Sequence, residues 1–280
     1  MPVVAVVNRK GGSGKSTLAA HLAAWSALQG HAVMLGDVDR QQSSRAWLRR
    51  RPSTLPPIAP WAMDHKNVLR VPTGITHVVL DTPGGLHGFE LARVVLFADA
   101  IIMPVCPSMF DRESAAGCYA ELMTLPRVAS GRCRVAGVGM RISPRGTEAM
   151  QAWAQGVGLP FLGVLRDTPL YARVLERGLT LFDLPPAHAA HDLAQWTPIL
   201  DWVKPVLVPE AANDPSQKRA GSRPSSLMPA QNALVPGSRM AAGMAAARPP
   251  ALDRTPSQRP PLTAALTDGL RLPEFLRLKR

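Results

Sequence analysis

Apolar residues fall along the chain in two alternating patterns. Short β-branched runs closed by turn residues, the first at 3–7, read as strands buried on both faces. Between them lie longer stretches with apolar positions at helical spacing. Leu18, Leu22, Trp25 and Leu28 mark the first of these over 15–29, and Gly30 follows as a C-cap. The alternation continues with strands over 31–37, 77–81, 100–105, 135–142 and 161–165, and with helices near 43–50, 86–97, 112–125 and 145–156. Strand and helix repeated in this way predict an α/β fold, doubly wound, with a mainly parallel sheet and helices on both faces.

A last amphipathic segment, 192–206, sets Leu193, Trp196, Ile199, Leu200 and Val203 on one stripe and predicts a helix that closes the domain. The pattern then stops. From about Pro205 to Pro261 the chain is rich in Pro, Ala, Ser, Gly and Arg, with too little apolar surface to offset its ordering entropy. The expected organisation is one domain, 1–206, followed by a basic, disordered tail, 207–280. The tail ends in a basic and apolar stretch, 266–280, where Leu270, Leu272, Phe275, Leu276 and Leu278 sit among Arg271, Arg277, Lys279 and Arg280. Such a stretch suits a docking peptide, a DNA contact, a weak membrane-surface helix or an end without function.

Composition adds a partner. Hydrophobic residues make up 46% of the chain, enough for a sizeable core, while 32 Lys and Arg against 20 Asp and Glu leave a formal charge of +12. That excess points to a polyanion, either DNA or an anionic membrane surface, unless it serves solubility alone. The cysteines, Cys106, Cys118 and Cys133, are odd in number and lack C-x-x-C spacing, so they read as reduced thiols rather than a metal or redox site. No leader-like start or membrane-length apolar run is visible, and a cytoplasmic location is expected.

The chemistry lies in the loop Lys10-Gly11-Gly12-Ser13-Gly14-Lys15-Ser16-Thr17, between the first strand and the first helix. Glycines without a Cβ let backbone N–H groups close around phosphate oxygens, and the helix that follows aims its positive end at the same anion. Lys15 can reach the β and γ phosphates, and the Ser16 hydroxyl can bind Mg²⁺. A strict Walker pattern would have glycine at position 9; this chain has Arg9 there and a second lysine, Lys10, beside it.

The segment from Lys10 to Thr17 resembles the deviant Walker A box of the ParA/MinD ATPases. Asp37-Val-Asp39-Arg-Gln-Gln-Ser-Ser44 is similar to that family's second box, and Val78-Val-Leu-Asp81-Thr-Pro-Gly-Gly85 to its Walker B strand. The resemblance covers about the first 200 residues and implies ATP and Mg²⁺ as cofactors and slow, partner-stimulated hydrolysis. By it, Asp81 joins Ser16 at the metal with Asp37 in support, and Asp39 positions the attacking water. Lys10 would reach the partner subunit's nucleotide in an ATP-dependent homodimer, so that Lys10, Lys15 and Asp39 carry the reaction. Two departures leave these groups intact: Arg40 where relatives often have proline, and Thr82-Pro-Gly-Gly where Pro-Pro-Gly is common.

The resemblance further implies non-specific DNA binding by the ATP-bound dimer, a nucleoid-associated location, and an adaptor protein that stimulates release. The stretch from Leu165 to Arg177 resembles a DNA-contacting segment, with Arg166 the best match and Arg173 and Arg177 as further candidates that a solvated helix face would equally explain. Two alternatives remain at this level. One is a MinD-like membrane-positioning ATPase anchored by 266–280. The other is a ligase or iron–sulfur carrier on the same fold, against which the absent C-x-x-C pair and the lack of a second catalytic domain both argue.

Overall fold

The computed structural model describes residues 1–62 and 71–208. The chain divides into two units, 1–220 and 221–280, and the first carries every feature that follows. The tail from 209 onward, including the stretch 266–280, lies outside the described residues.

Seven strands form one parallel sheet. They are β1 (Val3–Val6), β2 (Val33–Asp37), β3 (Ile58–Ala62), β4 (His77–Asp81), β5 (Ala100–Val105), β6 (Arg134–Ile142) and β7 (Phe161–Arg166). Their spatial order is β3-β2-β4-β1-β5-β6-β7. The helices are α1 (Lys15–Leu28), α2 (Ser43–Leu48), α3 (Gly88–Phe97), α4 (Met109–Thr124), α5 (Pro126–Ala129), α6 (Thr147–Gly156), α7 (Pro169–Glu176) and α8 (Pro186–Leu207).

Side chains alternate across the strands, so each strand feeds two cores. Val4, Val6, Val33, Leu35 and Ile102 face a cluster with Leu18 and Leu22 of α1 and Trp196, Ile199 and Val203 of α8. Val3, Ala5, Val7, Met34 and Ile101 face the other, with Leu91 of α3, Leu122 of α4 and Met150 of α6. Burial on both faces explains why these strands read as unbroken apolar runs.

Four elements depart from the periodic reading, the one-turn α5 among them. Strand β3 is absent from it, because Pro60 interrupts the run; the strand pairs only with β2, at the sheet edge, where a missing N–H is tolerated. Helix α7 begins at Pro169, with the Thr168 hydroxyl before it accepting from Leu170 N at 3.3 Å. Helix α8 begins at Pro186 rather than 192 and runs through Pro198 and Pro205. Its first turns lack the apolar stripe, and its end is held by buried Val203 and Leu207, beyond the point where proline-rich composition suggests a tail.

Register places the site. Val6 of β1 lies opposite Asp81 of β4, and Asp81 opposite Asp37 of β2. The chain turns one way from β1 to β2 and the other way from β4 to β5, so a crevice opens beyond the end of β1.

Candidate functional site

The loop after β1 is shaped by left-handed backbone. Gly12 has φ 73° and Gly14 φ 100°, and a Cβ on Gly14 would approach Met140 Cε to 2.7 Å. Buried Asn8 fastens the loop to the sheet: its Nδ2 donates to Pro104 O at 2.6 Å and its Oδ1 accepts from Lys10 N at 3.0 Å. Helix α1 starts at Lys15, so its free N–H groups point into a cavity of about 820 Å³ lined by Gly12, Lys15, Ser16, Thr17, Asp39 and Gly84.

Lys15 is buried and its Nζ donates to Lys10 O at 3.0 Å. Burial lowers its pKa, against the opposing charges of Asp81 and Asp39. A cation withdrawn from water beside a cavity is poised for an anion. The Lys10 side chain, by contrast, is exposed and has no polar partner among the described residues.

Asp81 is fully buried. Its Oδ2 accepts from Ser44 Oγ at 2.6 Å, and its Oδ1 has no partner. Burial pushes this carboxyl up to about 6, with Asp37 adding to the rise and the hydroxyls of Ser44 and Ser16 and the charge of Lys15 opposing it. An orphaned carboxylate oxygen next to the Ser16 hydroxyl fits a hard divalent cation completed by phosphate and water oxygens. Asp37 is differently engaged, its Oδ1 accepting from Asp39 N at 3.1 Å and its Oδ2 from Arg45 N at 3.0 Å. It holds the second box in place, while burial raises its pKa. Asp39 lines the cavity and accepts from Gln41 N at 2.9 Å.

Several supporting residues escaped sequence reading. Arg9 forms an ion pair with Glu121 of α4, whose Oε1 accepts from Gly88 N at 2.6 Å, and Arg9 O accepts from Gly85 N at 2.6 Å. The residue standing where a strict motif has glycine thus ties the phosphate loop to the loop after β4. Arg141, with φ 55°, bonds Gly12 O and reaches Cys106 Sγ at 3.1 Å. No local signal announces these contacts, which join residues up to 129 positions apart.

The arginine candidates separate. Arg166 is forked onto Asp192 of α8, Nε to Oδ1 at 2.6 Å and Nη2 to Oδ2 at 2.9 Å, and Asp192 is buried. Arg173 and Arg177 are exposed on and just after α7. All three cysteines are free and buried. Among the described residues no helix is long and apolar enough to cross a membrane.

A glycine loop between a central strand and its helix, with a buried lysine and an unsatisfied aspartate opposite, defines a P-loop nucleotide-binding protein. Residues 4–181 match the CobQ/CobB/MinD/ParA nucleotide binding domain, and the chain belongs to that family. The Halothiobacillus neapolitanus protein named maintenance of carboxysome distribution protein A is 27% identical over 192 residues, covering 65% of this chain and 87% of that protein. Its namesake from Gloeobacter kilaueensis is 39% identical over 114 residues, 39% of this chain; the match spans only 51% of that relative's length. Among solved structures, the ATP complex of a Cyanothece McdA variant shares the fold with TM-score 0.55 at 14% identity, over 74% of this chain and 96% of that one. The MinC:MinD cell division complex of Aquifex aeolicus gives 0.53 at 16% identity, over 65% and 89%.

Proposed function

We propose that the chain binds ATP with Mg²⁺, hydrolyses it slowly, dimerises on ATP and positions a cargo over DNA with the help of an adaptor protein. The observation that carries the reading is the buried Asp81 with its free Oδ1, at the end of β4 behind the cavity that Lys15 and Ser16 line. The backbone N–H groups of the glycine loop and of α1 would hold the phosphates, with Lys15 matching their charge. Ser16 and Asp81 would hold Mg²⁺, which when bound offsets charge on the phosphate oxygens. Asp37 keeps the second box in register through two backbone N–H groups. Asp39 reaches the cavity beside it and would orient the attacking water. Exposed Lys10 would meet the phosphates of a second copy.

Cargo positioning is supported by the names of two relatives, which concern carboxysome distribution. DNA as the surface, and with it a nucleoid-associated location in the cytoplasm, is supported by the charge of +12 and by exposed Arg173 and Arg177. The test is nucleotide binding and turnover of two variants. Lys15→Ala should lose ATP binding, and Asp39→Ala should bind ATP with little hydrolysis; full turnover by Asp39→Ala would remove that residue from the chemistry.

A further inference from the structure

Helix α2 and the segment around α7 are far apart in sequence and packed together in space. Trp47 Nε1 donates to Leu179 O at 3.3 Å, and the Arg51 guanidinium is forked onto Asp183 at 3.0 and 3.1 Å. Gly178 lies so close that a Cβ on it would come within 2.3 Å of the Arg50 carbonyl. These contacts set the C-terminal end of α2 against the C-terminal end of α7. Arg49 and Arg50, exposed at the end of α2, therefore lie on the same side of the fold as exposed Arg173 and Arg177.

The four arginines carry little counter-charge. Among the described residues, no carboxylate is ion-paired with any of them, and Arg50 alone has a side-chain hydrogen bond, from Nη1 to Ala46 O at 2.9 Å. Glu176 is exposed beside them and bonds to none. Guanidinium groups gathered on a rigid scaffold without carboxylate partners repel one another, and a polyanion relieves that repulsion. Arg also matches phosphate oxygens two at a time.

We infer that Arg49, Arg50, Arg173 and Arg177 form one phosphate-binding surface for the backbone of double-stranded DNA, built jointly by α2 and α7. This rests on the DNA reading proposed above and changes its residues: Arg166, already forked onto buried Asp192, is left out. A duplex suits the surface better than a lipid bilayer. The exposed large apolar side chains among the described residues, such as Phe89, Leu96, Met109, Phe110 and Met123, lie outside α2 and α7, whereas a membrane-surface helix needs an apolar face to insert. The surface is also short-wired to the nucleotide site. Helix α2 has six residues; Ser44 at its start bonds Asp81, Arg45 N bonds Asp37, and Arg49 follows its end.

The test is fluorescence anisotropy of the full chain with a labelled random-sequence duplex, in ATP and in ADP, over a salt series. Losing two phosphate contacts flattens the slope of log K against log salt by about 2. Combined Arg49→Ala and Arg50→Ala should show that change and bind roughly tenfold more weakly, and the corresponding lysine pair should recover most of the affinity, because backbone contacts accept a point charge. Arg49→Glu alone, at an exposed side chain without bonds, repeats the measurement should the double variant melt early by circular dichroism. Unchanged affinity and slope in these variants would overturn the α2 surface and leave DNA binding elsewhere on the chain. Failure of the unsubstituted chain to bind duplex in any nucleotide state would overturn both readings. Arginine-dependent sedimentation with phosphatidylglycerol vesicles, without duplex binding, would also overturn the DNA surface and assign it to membranes.

Discussion

Acidification should destabilise the protein in large part through one imidazole, that of His21 on α1. The ring is fully buried, with Nδ1 2.8 Å from Thr17 O and Nε2 3.2 Å from Leu181 N. Thr17 O can only accept and Leu181 N only donate, so the neutral ring carries its proton on Nδ1. It stacks on Trp196 at 5.2 Å and meets the edge of Tyr171 at 5.3 Å. A second proton would sit on Nε2 and face the Leu181 N–H, donor against donor, in an apolar surround. Burial holds the pKa down at about 4, against the Thr17 carbonyl and the charge of Asp183, which favour the cation. The ordinary value is 6.5, so between these limits the unfolded chain binds the extra proton and the native one does not. Stability from this site is therefore intact above about pH 6.5 and falls as pH is lowered, by about 2 kcal/mol at pH 5 and about 3 kcal/mol below pH 4.

The assay is urea unfolding followed by tryptophan fluorescence at about pH 7.5 and about pH 5, on the parent and on His21→Gln. Glutamine keeps one donor and one acceptor but does not titrate in this range. Other groups contribute to the parent's pH dependence and cancel in the difference. Parent and variant should differ by about 2 kcal/mol in their loss on acidification. Equal losses would show that His21 does not titrate as its burial requires, and would refute the reasoning.

Asp81→Asn should stabilise the nucleotide-free protein by about 2 to 3 kcal/mol at pH 7.5, because a carboxyl raised to about 6 is destabilised wherever it is charged. The gain should shrink below pH 6 and vanish below about pH 3, where the carboxyl is protonated in both states; a pH-independent gain in denaturant midpoints would contradict it. Gly14→Ala should cost about 1 to 2 kcal/mol, since φ 100° strains any residue with a Cβ. On a Met140→Ala background, which removes the 2.7 Å contact, Gly14→Ala should still cost most of this in thermal melting; a negligible cost there would make the contact, and not the backbone, the cause.

How much of this was legible in the sequence depends on the range of the interaction. Strands 77–81 and 100–105 coincide with β4 and β5 to the residue, because a strand buried on both faces writes its whole length in apolar residues. The P-loop is equally local: strand, glycines, lysine and helix start are contiguous, and the glycines, lysine and helix start line one cavity. Edge strand β3 was invisible because it needs only one partner and carries a proline. The fork from Arg166 to Asp192 was invisible for a different reason. An ion pair between β7 and α8 has no signature in either segment, and Arg166 taken alone looks like a surface cation.

The same distinction separates the two aspartates at the strand ends. Sequence grouped Asp37 and Asp81 as metal carboxylates, and register does bring them together, opposite each other on β2 and β4. Their hydrogen bonds divide the labour. Asp37 gives both oxygens to backbone N–H groups, so its charge is consumed in holding the turn that carries Asp39 and the start of α2. Asp81 gives one oxygen to Ser44, itself the second residue of α2, and keeps the other free. A cation drawn to that free oxygen necessarily competes with Ser44 for the charge of the same carboxylate, and α2 is the element that would feel the competition. The helix that ends in Arg49 thus begins on a buried carboxylate with coordination to spare, which is why nucleotide state and the arginine surface are expected to titrate together.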